Sequence, residues 1–220
     1  YWRALVSDGT DNSSFTDVRR FTVDTTPPFF SILVQTPLTV YNNDSVELNA
    51  TIIDMWTDVN NVILESDFSG SLVNYSEIKK DGNVYSYIID SGNFSNKQNV
   101  SYRWYANDLV LNENKSELQS FVVQNRPINI ISPILINFEE DAITTINFSN
   151  YVNNPDQDVL NYETSGVNPN KVNIEVNGEN LTFTPEGNFS GLINFTLIVK
   201  DPYFDEESGR IGAAAVILNI

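Results

Sequence analysis

Cysteine and histidine are both absent from the 220 residues, and methionine occurs once. Without thiols or imidazoles the chain cannot form disulfides, cannot build the zinc sites those ligands make, and cannot run a Ser-His-Asp relay. Basic residues are scarce too: 12 Lys and Arg stand against 29 Asp and Glu, a formal charge of -17. The deficit is -1 over residues 1–26, -7 over 27–125 and -9 over 126–220. A field of that sign repels nucleic acid and anionic membranes, and it favours solubility and cations. Only ten glycines are present, and no Walker-type or dinucleotide-binding glycine motif occurs among them. The longest apolar run, from Gly212 to Leu218, is far short of the roughly 20 residues that span a bilayer. Any membrane anchor is expected outside this stretch of sequence.

What is present is enough apolar material for real cores, 41% hydrophobic and 12% aromatic residues, arranged with a period of two. Val46, Leu48, Ala50 and Ile52 share one face, opposite Glu47, Asn49 and Thr51. Tyr85, Tyr87 and Ile89 alternate with Ser86, Ile88 and Asp90, Leu181 and Phe183 with Asn180, Thr182 and Thr184, and Ile193, Phe195, Leu197 and Val199 with Asn194, Thr196 and Lys200. Turn signals such as Asp81-Gly82-Asn83 separate the runs, and no convincing helical period appears. The pattern predicts an all-β protein.

The chain also repeats. It opens on an alternating run, Tyr1 to Val6, passes a turn at Ser7-Asp8-Gly9, and closes on Phe21-Thr22-Val23 before Asp24-Thr25-Thr26-Pro27-Pro28. Residues 102–123 repeat that plan, with Tyr102-Arg103-Trp104, a terminal Asp108 matching Asp8, and Phe121-Val122-Val123 before Pro127. A looser third copy runs from Asn194 to Asp201 and from Ala214 to Ile220. Spacings of about a hundred residues match one β-sandwich each. The expected organisation is a closing hairpin over 1–26, one sandwich over 27–125 and another over 126–220. An isolated hairpin is marginal in water, so its partner strands are expected upstream in a longer chain or in another molecule. Trp2 and Trp104 are expected to pack between sheets.

The first two units resemble fibronectin type III or prokaryotic immunoglobulin-like repeats. The likeness rests on the linker Val23-Asp24-Thr25-Thr26-Pro27-Pro28, on Asp44 to Asp54, and on Tyr102 to Asp108. The third unit resembles a cadherin-like repeat of bacterial and archaeal surface proteins, through Glu139-Glu140-Asp141, Asn154 to Tyr162 and Phe183 to Gly191. The resemblance implies tandem Ig-like, fibronectin III-like and cadherin-like β-sandwich domains in a long extracellular protein. An archaeal source would fit the combination. These folds are scaffolds for unrelated roles, so function must come from sites.

Two motifs stand out. Asn-x-Ser/Thr occurs eleven times, at Asn12, Asn43, Asn49, Asn74, Asn93, Asn99, Asn114, Asn147, Asn180, Asn188 and Asn194. The 30 asparagines and 35 serines and threonines would give about five such sites by chance. A polar strand face writes Asn-x-Thr by itself, which accounts for Asn49, Asn180 and Asn194 but not for turns such as Asn43 or Asn114. N-linked glycans are the expectation. The second motif is Asn154-Pro155-Asp156-Gln157-Asp158, where Asp-x-Asp on a turn offers the hard oxygen ligands calcium prefers. Asp156, Asp158, Asp201 and Glu140 are expected to converge on Ca2+ at one end of the last sandwich; the alternative is an acidic turn that caps its own amides.

Catalysis has little to stand on. Glu206-Glu207 lacks a cleft, and Lys79, Lys80, Lys97 and Lys115 fall mostly in polar turns, away from any isopeptide arrangement. Trp56, Tyr105 and Tyr203-Phe204 could form a sugar platform. The expectation is a non-catalytic structural or adhesive segment of a surface coat, stalk, adhesin or filament, with copies of itself or other surface proteins as partners and no nucleic acid. The alternatives are a carbohydrate-binding accessory module of a secreted hydrolase, or a viral spike.

Overall fold

The computed structural model describes residues 1–203 and 212–220. Phe204, Glu206 and Glu207, named above as candidates, lie outside the described residues. Ten strands come from the first part of the chain: β1 (Phe29–Thr36), β2 (Val40–Tyr41), β3 (Val46–Ile53), β4 (Val59–Ser66), β5 (Val73–Tyr75), β6 (Lys79–Asp81), β7 (Val84–Ile89), β8 (Asn99–Asp108), β9 (Glu113–Lys115) and β10 (Gln119–Gln124). The remainder are β11 (Asn129–Ile130), β12 (Ile134–Asn137), β13 (Thr144–Asn147), β14 (Val152–Asn153), β15 (Asn161–Ser165), β16 (Val172–Asn177), β17 (Asn180–Pro185), β18 (Leu192–Lys200) and β19 (Gly212–Asn219). The protein is all-β, in tandem sandwiches of the kind the period-two pattern predicts. One single-turn 3-10 helix, Phe148–Tyr151, interrupts it. Its signal is local: the Asn147 side chain accepts a hydrogen bond from the Ser149 amide and caps the turn.

By contacts the chain forms two compact units, residues 1–35, 47–88 and 101–119 in one and residues 36–46, 89–100 and 120–220 in the other. In the first, β4 pairs antiparallel with β8, Leu64 opposite Trp104, and also with β5; β8 carries β9 on a further pairing. The expected alternation holds, with Leu48, Ala50, Ile52, Leu64, Tyr102, Trp104 and Ala106 buried. Gly82, at φ 57, supplies the left-handed residue of the two-residue turn between β6 and β7.

The opening segment belongs to this unit but has no core. Trp2 and Arg19 bond reciprocally through their backbones, Val6 accepts from Ser13, and Ala4 accepts from Thr16. The hairpin is therefore present, yet Trp2 is 50% exposed and Phe15, Phe21 and Val23 are exposed with it. Trp104 packs inside as expected; Trp2 does not, because no second sheet covers its hairpin. Arginines shield part of the apolar surface, Arg3 over Phe15 at 4.0 Å and Arg20 over Tyr1 at 4.6 Å.

In the second unit two sheets face one core. One runs β12-β19-β18-β15 and the other β13-β17-β16. β12 lies parallel to β19, Ile134 opposite Val216, and β18 antiparallel to both β19 and β15. Phe183 is fully buried at the centre, with Phe138, Phe148 and Phe195 ring centroids 6.0–6.1 Å away. β2 and β10 form a further parallel pair, Val40 opposite Val123.

Trp104 is completely buried and Trp56 is 64% exposed. Trp104→Ala is expected to lower unfolding stability by about 3–5 kcal/mol through lost transfer and an unfilled cavity. Trp56→Ala should stay within about 0.5 kcal/mol of the parent. Urea unfolding followed by far-UV circular dichroism separates the two.

Candidate functional site: a polar joint around Arg126

The second unit contains a concentration of polar side chains that no hydrophobic pattern demands. It gathers the turn after β2, the segment before β8, the passage from β10 to β11, the turn after β14 and the end of β18. Arg126 is its hub. Its guanidinium lies 2.7 Å from Asp156 and 3.1 Å from Asp44, contacts the Asn43 side-chain oxygen at 2.6 Å, and stacks 3.8 Å above the Tyr41 ring. The Arg126 backbone amide donates to the same Asp156 carboxylate. Asp156 has no exposed side-chain surface, so the arginine supplies both its countercharge and its hydrogen bonds. Asn42 fixes the turn from the other side by donating to the Asp156 carbonyl at 2.8 Å.

Among the described residues no cation pairs with Asp158 or Asp201. Asn96 donates to Asp158 at 2.5 Å and Asn125 to Asp201 at 2.8 Å, while the Tyr203 amide caps Asp201. Burial pushes the Asp158 carboxyl above its ordinary range, and the charges of Asp201 and Asp156 push it further against the opposing Asn96 hydrogen bond. Five buried oxygens here accept no hydrogen bond: Oδ1 of Asn42, Asn96, Asn125 and Asn154, and Oδ2 of Asp158. Gln157 adopts φ 58, a left-handed conformation that disfavours side chains.

Of the four residues expected to hold calcium, the structure assembles Asp156, Asp158 and Asp201 and leaves Glu140 out. The parallel pairing of β12 with β19 explains why. It carries the segment after Asn137 to the Asn219 end of the sheet, where the Phe138 amide donates to the Asn219 carbonyl. Asp201 follows β18 at the opposite end, past the Val199–Gly212 pair. The intervening strand spans about 25 Å, and Glu140 is exposed in its own turn. Arg126, Asn96 and Asn125 are the participants the sequence concealed. The available signal was that Arg126 is the one basic residue between Lys115 and Lys171.

The first unit has an acidic group of its own. Carboxylate oxygens of Asp24, Asp54 and Asp108 lie within 4.8 Å of one another. Each is engaged by a turn. Asp24 accepts from the amide and hydroxyl of Thr26, Asp54 from the amides of Trp56 and Thr57, and Asp108 from those of Val110 and Asn112. The Thr26 hydrogen bonds hold the Asp24 carboxyl below its usual range.

The sequon asparagines are placed on the outside. Asn12, Asn43, Asn74, Asn93, Asn99, Asn114, Asn180, Asn188 and Asn194 are exposed, and Asn49 and Asn147 are half-buried. Their amides differ. Those of Asn43, Asn93 and Asn114 donate to the carbonyls of Pro155, Asp90 and Pro28, and that of Asn147 donates to Glu179. Of the aromatic candidates, Trp56 is exposed and Tyr105 half-buried. Tyr105 binds Glu65 through its hydroxyl, beside a groove of about 310 Å³ that Asn74 and Asn114 also line, while Trp56 is not among the residues lining it. The four lysines are exposed.

Comparisons place these observations in a family context. Residues 125–211 match the family model described as a bacterial Ig domain. The second part of the chain is thus similar to an Ig-like domain. No curated protein matches. Among solved structures, an endo-fucoidan hydrolase, MfFcnA9 of glycoside hydrolase family 107, is similar at 11% identity and TM-score 0.35, over 90% of this chain and 35% of that one. Titin domains A168–A170 are similar at 12% identity and TM-score 0.49, over 88% and 65%. Fibronectin(III)-like modules of Clostridium thermocellum CbhA are similar at 11% and TM-score 0.30, over 86% and 94%. The chain therefore spans about a third of the hydrolase and 65% of the titin fragment. Among the described residues no helix is long and apolar enough to cross a membrane.

Arg126→Ala strands the buried Asp156 charge and is expected to cost about 3 kcal/mol at neutral pH, read from urea unfolding. Asp158 behaves in the opposite sense. Its raised carboxyl binds protons more tightly in the folded state, so its contribution to stability falls as pH rises from the ordinary carboxylate value through the raised one. In chelator-containing buffer, Asp158→Asn should therefore be more stable than the parent at pH 7. The difference should vanish when unfolding is repeated below the ordinary carboxylate range.

Proposed function

We propose that this chain is a non-catalytic structural segment of an extracellular surface protein, in which stacked β-sandwiches space or present other parts. The observation that carries the reading is the bacterial Ig match inside a chain built throughout from β-sandwich elements. Three features support it. The -17 charge keeps such a segment soluble and unattractive to nucleic acid. Among the described residues, Asp24, Asp54 and Asp108 accept turn amides, and Asp44 and Asp156 are held by Arg126. The sequon asparagines stand clear of the cores, where N-linked sugars could be carried without disturbing packing. Partners would be further copies or neighbouring surface proteins, and the exposed apolar hairpin over residues 1–26 is where another sheet would add.

The second reading is a carbohydrate-binding accessory module. It is favoured by the Tyr105–Glu65 groove with its surrounding asparagines, a polar lining of the kind sugars require.

Surface proteolysis of intact source cells, followed by mass measurement and glycopeptide mapping, tests the choice. The structural reading expects release by external protease, a native chain far heavier than 24.8 kDa, and sugars on sequons whose amides make no tertiary hydrogen bond, such as Asn74, Asn99, Asn180 and Asn194. Protection from external protease overturns the surface assignment. A native chain carrying a catalytic domain, with polysaccharide affinity lost in Tyr105→Ala, selects the accessory module instead.

A further inference from the structure

We propose that the groove beside Tyr105 is filled by the protein's own sugar, the first sugar of an N-linked glycan on Asn74. The presence of that glycan rests on the surface reading above; its seat in the groove does not. The occupant arrives covalently rather than as a soluble ligand.

Strand register brings the parts together. On β4, Glu65 stands opposite Asn74 of β5 and Arg103 of β8, and Ile63 stands opposite Tyr105. Residues directly opposite have Cβ atoms about 4.5–5.5 Å apart, and diagonal neighbours stay within reach of long side chains. The Tyr105 hydroxyl donates to Glu65 at 3.2 Å, so ring, carboxylate and sequon asparagine follow one another across one face. All three line the groove of about 310 Å³, together with Ile63 and Glu113. That volume is at the small end of ligand clefts, roughly 300–1,000 Å³, and suits a sugar better than a polysaccharide chain.

β5 aims Asn74 at the groove. The adjacent Tyr75 lies on the other face, opposite buried Leu64 and stacked on Phe68 with ring centroids 4.7 Å apart. Alternation along the strand therefore turns the Asn74 side chain outward. Its carboxamide makes no hydrogen bond among the described residues. Asn114, the other sequon residue lining the groove, donates to the Pro28 carbonyl instead. Ser76 completes the sequon, and it is exposed and outside the lining.

The lining selects an uncharged sugar. Tyr105 and Ile63 offer apolar surface for the C–H face of a ring. Glu65 and Glu113 are acceptors only, which sugar hydroxyls match as donors. Arg103 approaches the Tyr105 ring no closer than 6.0 Å, the outer limit of a cation–π contact. β5 also ends its sheet, with Leu72 and Val73 exposed and no charge between Asp67 and Glu77. Edge strands are usually guarded by charge; here a solvated glycan takes that part. In the attachment step the Asn74 nitrogen bonds to C1 of an oligosaccharide carried on a lipid diphosphate. The C1–O bond breaks with its electron pair leaving on the diphosphate, and the nitrogen gives up one proton.

Glycopeptide mapping of the native chain should find sugar on Asn74. Variants of the whole chain are then made in a host whose map reproduces that sugar. Ser76→Ala removes it and should lower the unfolding midpoint by about 3 °C, the effect of an aromatic contact in a chain of this length. In a Tyr105→Ala background the same change should shift the midpoint by less than about 1 °C. Iodination gives a second reading on folded protein: Tyr105 should react more slowly in the parent than in Ser76→Ala. That comparison decides should Tyr105→Ala fail to fold. Equal midpoints, a shift that persists without Tyr105, or equal iodination overturns the proposal. So does added xylan or cello-oligosaccharide that binds the glycosylated parent through Tyr105, since the groove would then be open. Sugar on other sequons but not on Asn74 overturns the proposal and leaves the surface reading standing. A native chain with no sugar at all removes the glycans from both.

Discussion

The second unit is organised around a single guanidinium. Arg126 sits where the chain leaves β10, and four different contacts converge on it: the faces of Tyr41 and the acceptors of Asn43, Asp44 and Asp156. Asp156 would be untenable as a buried anion without it. With it, the turn at 154–158 is fixed, and that turn in turn delivers Asp158 to Asn96. The planar fork explains why arginine rather than lysine occupies the position, since one group serves three acceptors and an aromatic face at once. The remaining acids of the joint are arranged around a charge that is already committed elsewhere.

The same economy appears in the first unit. A strongly acidic composition invites a search for catalytic pairs, yet Asp24, Asp54 and Asp108 each close a turn by accepting backbone amides. Aspartate is favoured there because its short side chain reaches amides two or three residues ahead. The negative charge of these three residues thus serves local turns.

Strand faces were readable in advance because burial in a sheet has a period of two, and Val46–Ile52, Leu181–Phe183 and Ile193–Val199 obey it without exception. Trp104 and Trp2 read alike but end differently, since a strand's own alternation does not say whether a second sheet faces it. The acid cluster was partly legible. Asp156 and Asp158 share a turn, and Asp201 ends a strand, both local properties. Glu140 was misplaced because its position depends on whether β12 pairs parallel or antiparallel with β19, a long-range choice that leaves no mark near residue 140. Asn96 and Asn125 were invisible for a related reason: one among 30 asparagines acquires meaning only from what lies across the fold.

The parallel pairs have a consequence for load. β12 and β19 run side by side in register over four residues, from Ile134–Val216 to Asn137–Asn219. Tension entering at the start of β12 and leaving at the end of β19 drives the two strands past each other along their length. All the hydrogen bonds of that ladder then resist together. β2 and β10 oppose sliding in the same way over Val40–Val123 and Tyr41–Gln124. The hairpin of residues 1–26 is antiparallel, and the outer ends of its two arms lie beside each other at the Trp2–Arg19 bridge, so tension applied across those ends opens it one bridge at a time. Within one chain, the sandwich strands are joined as shear clamps and the opening hairpin as a zipper.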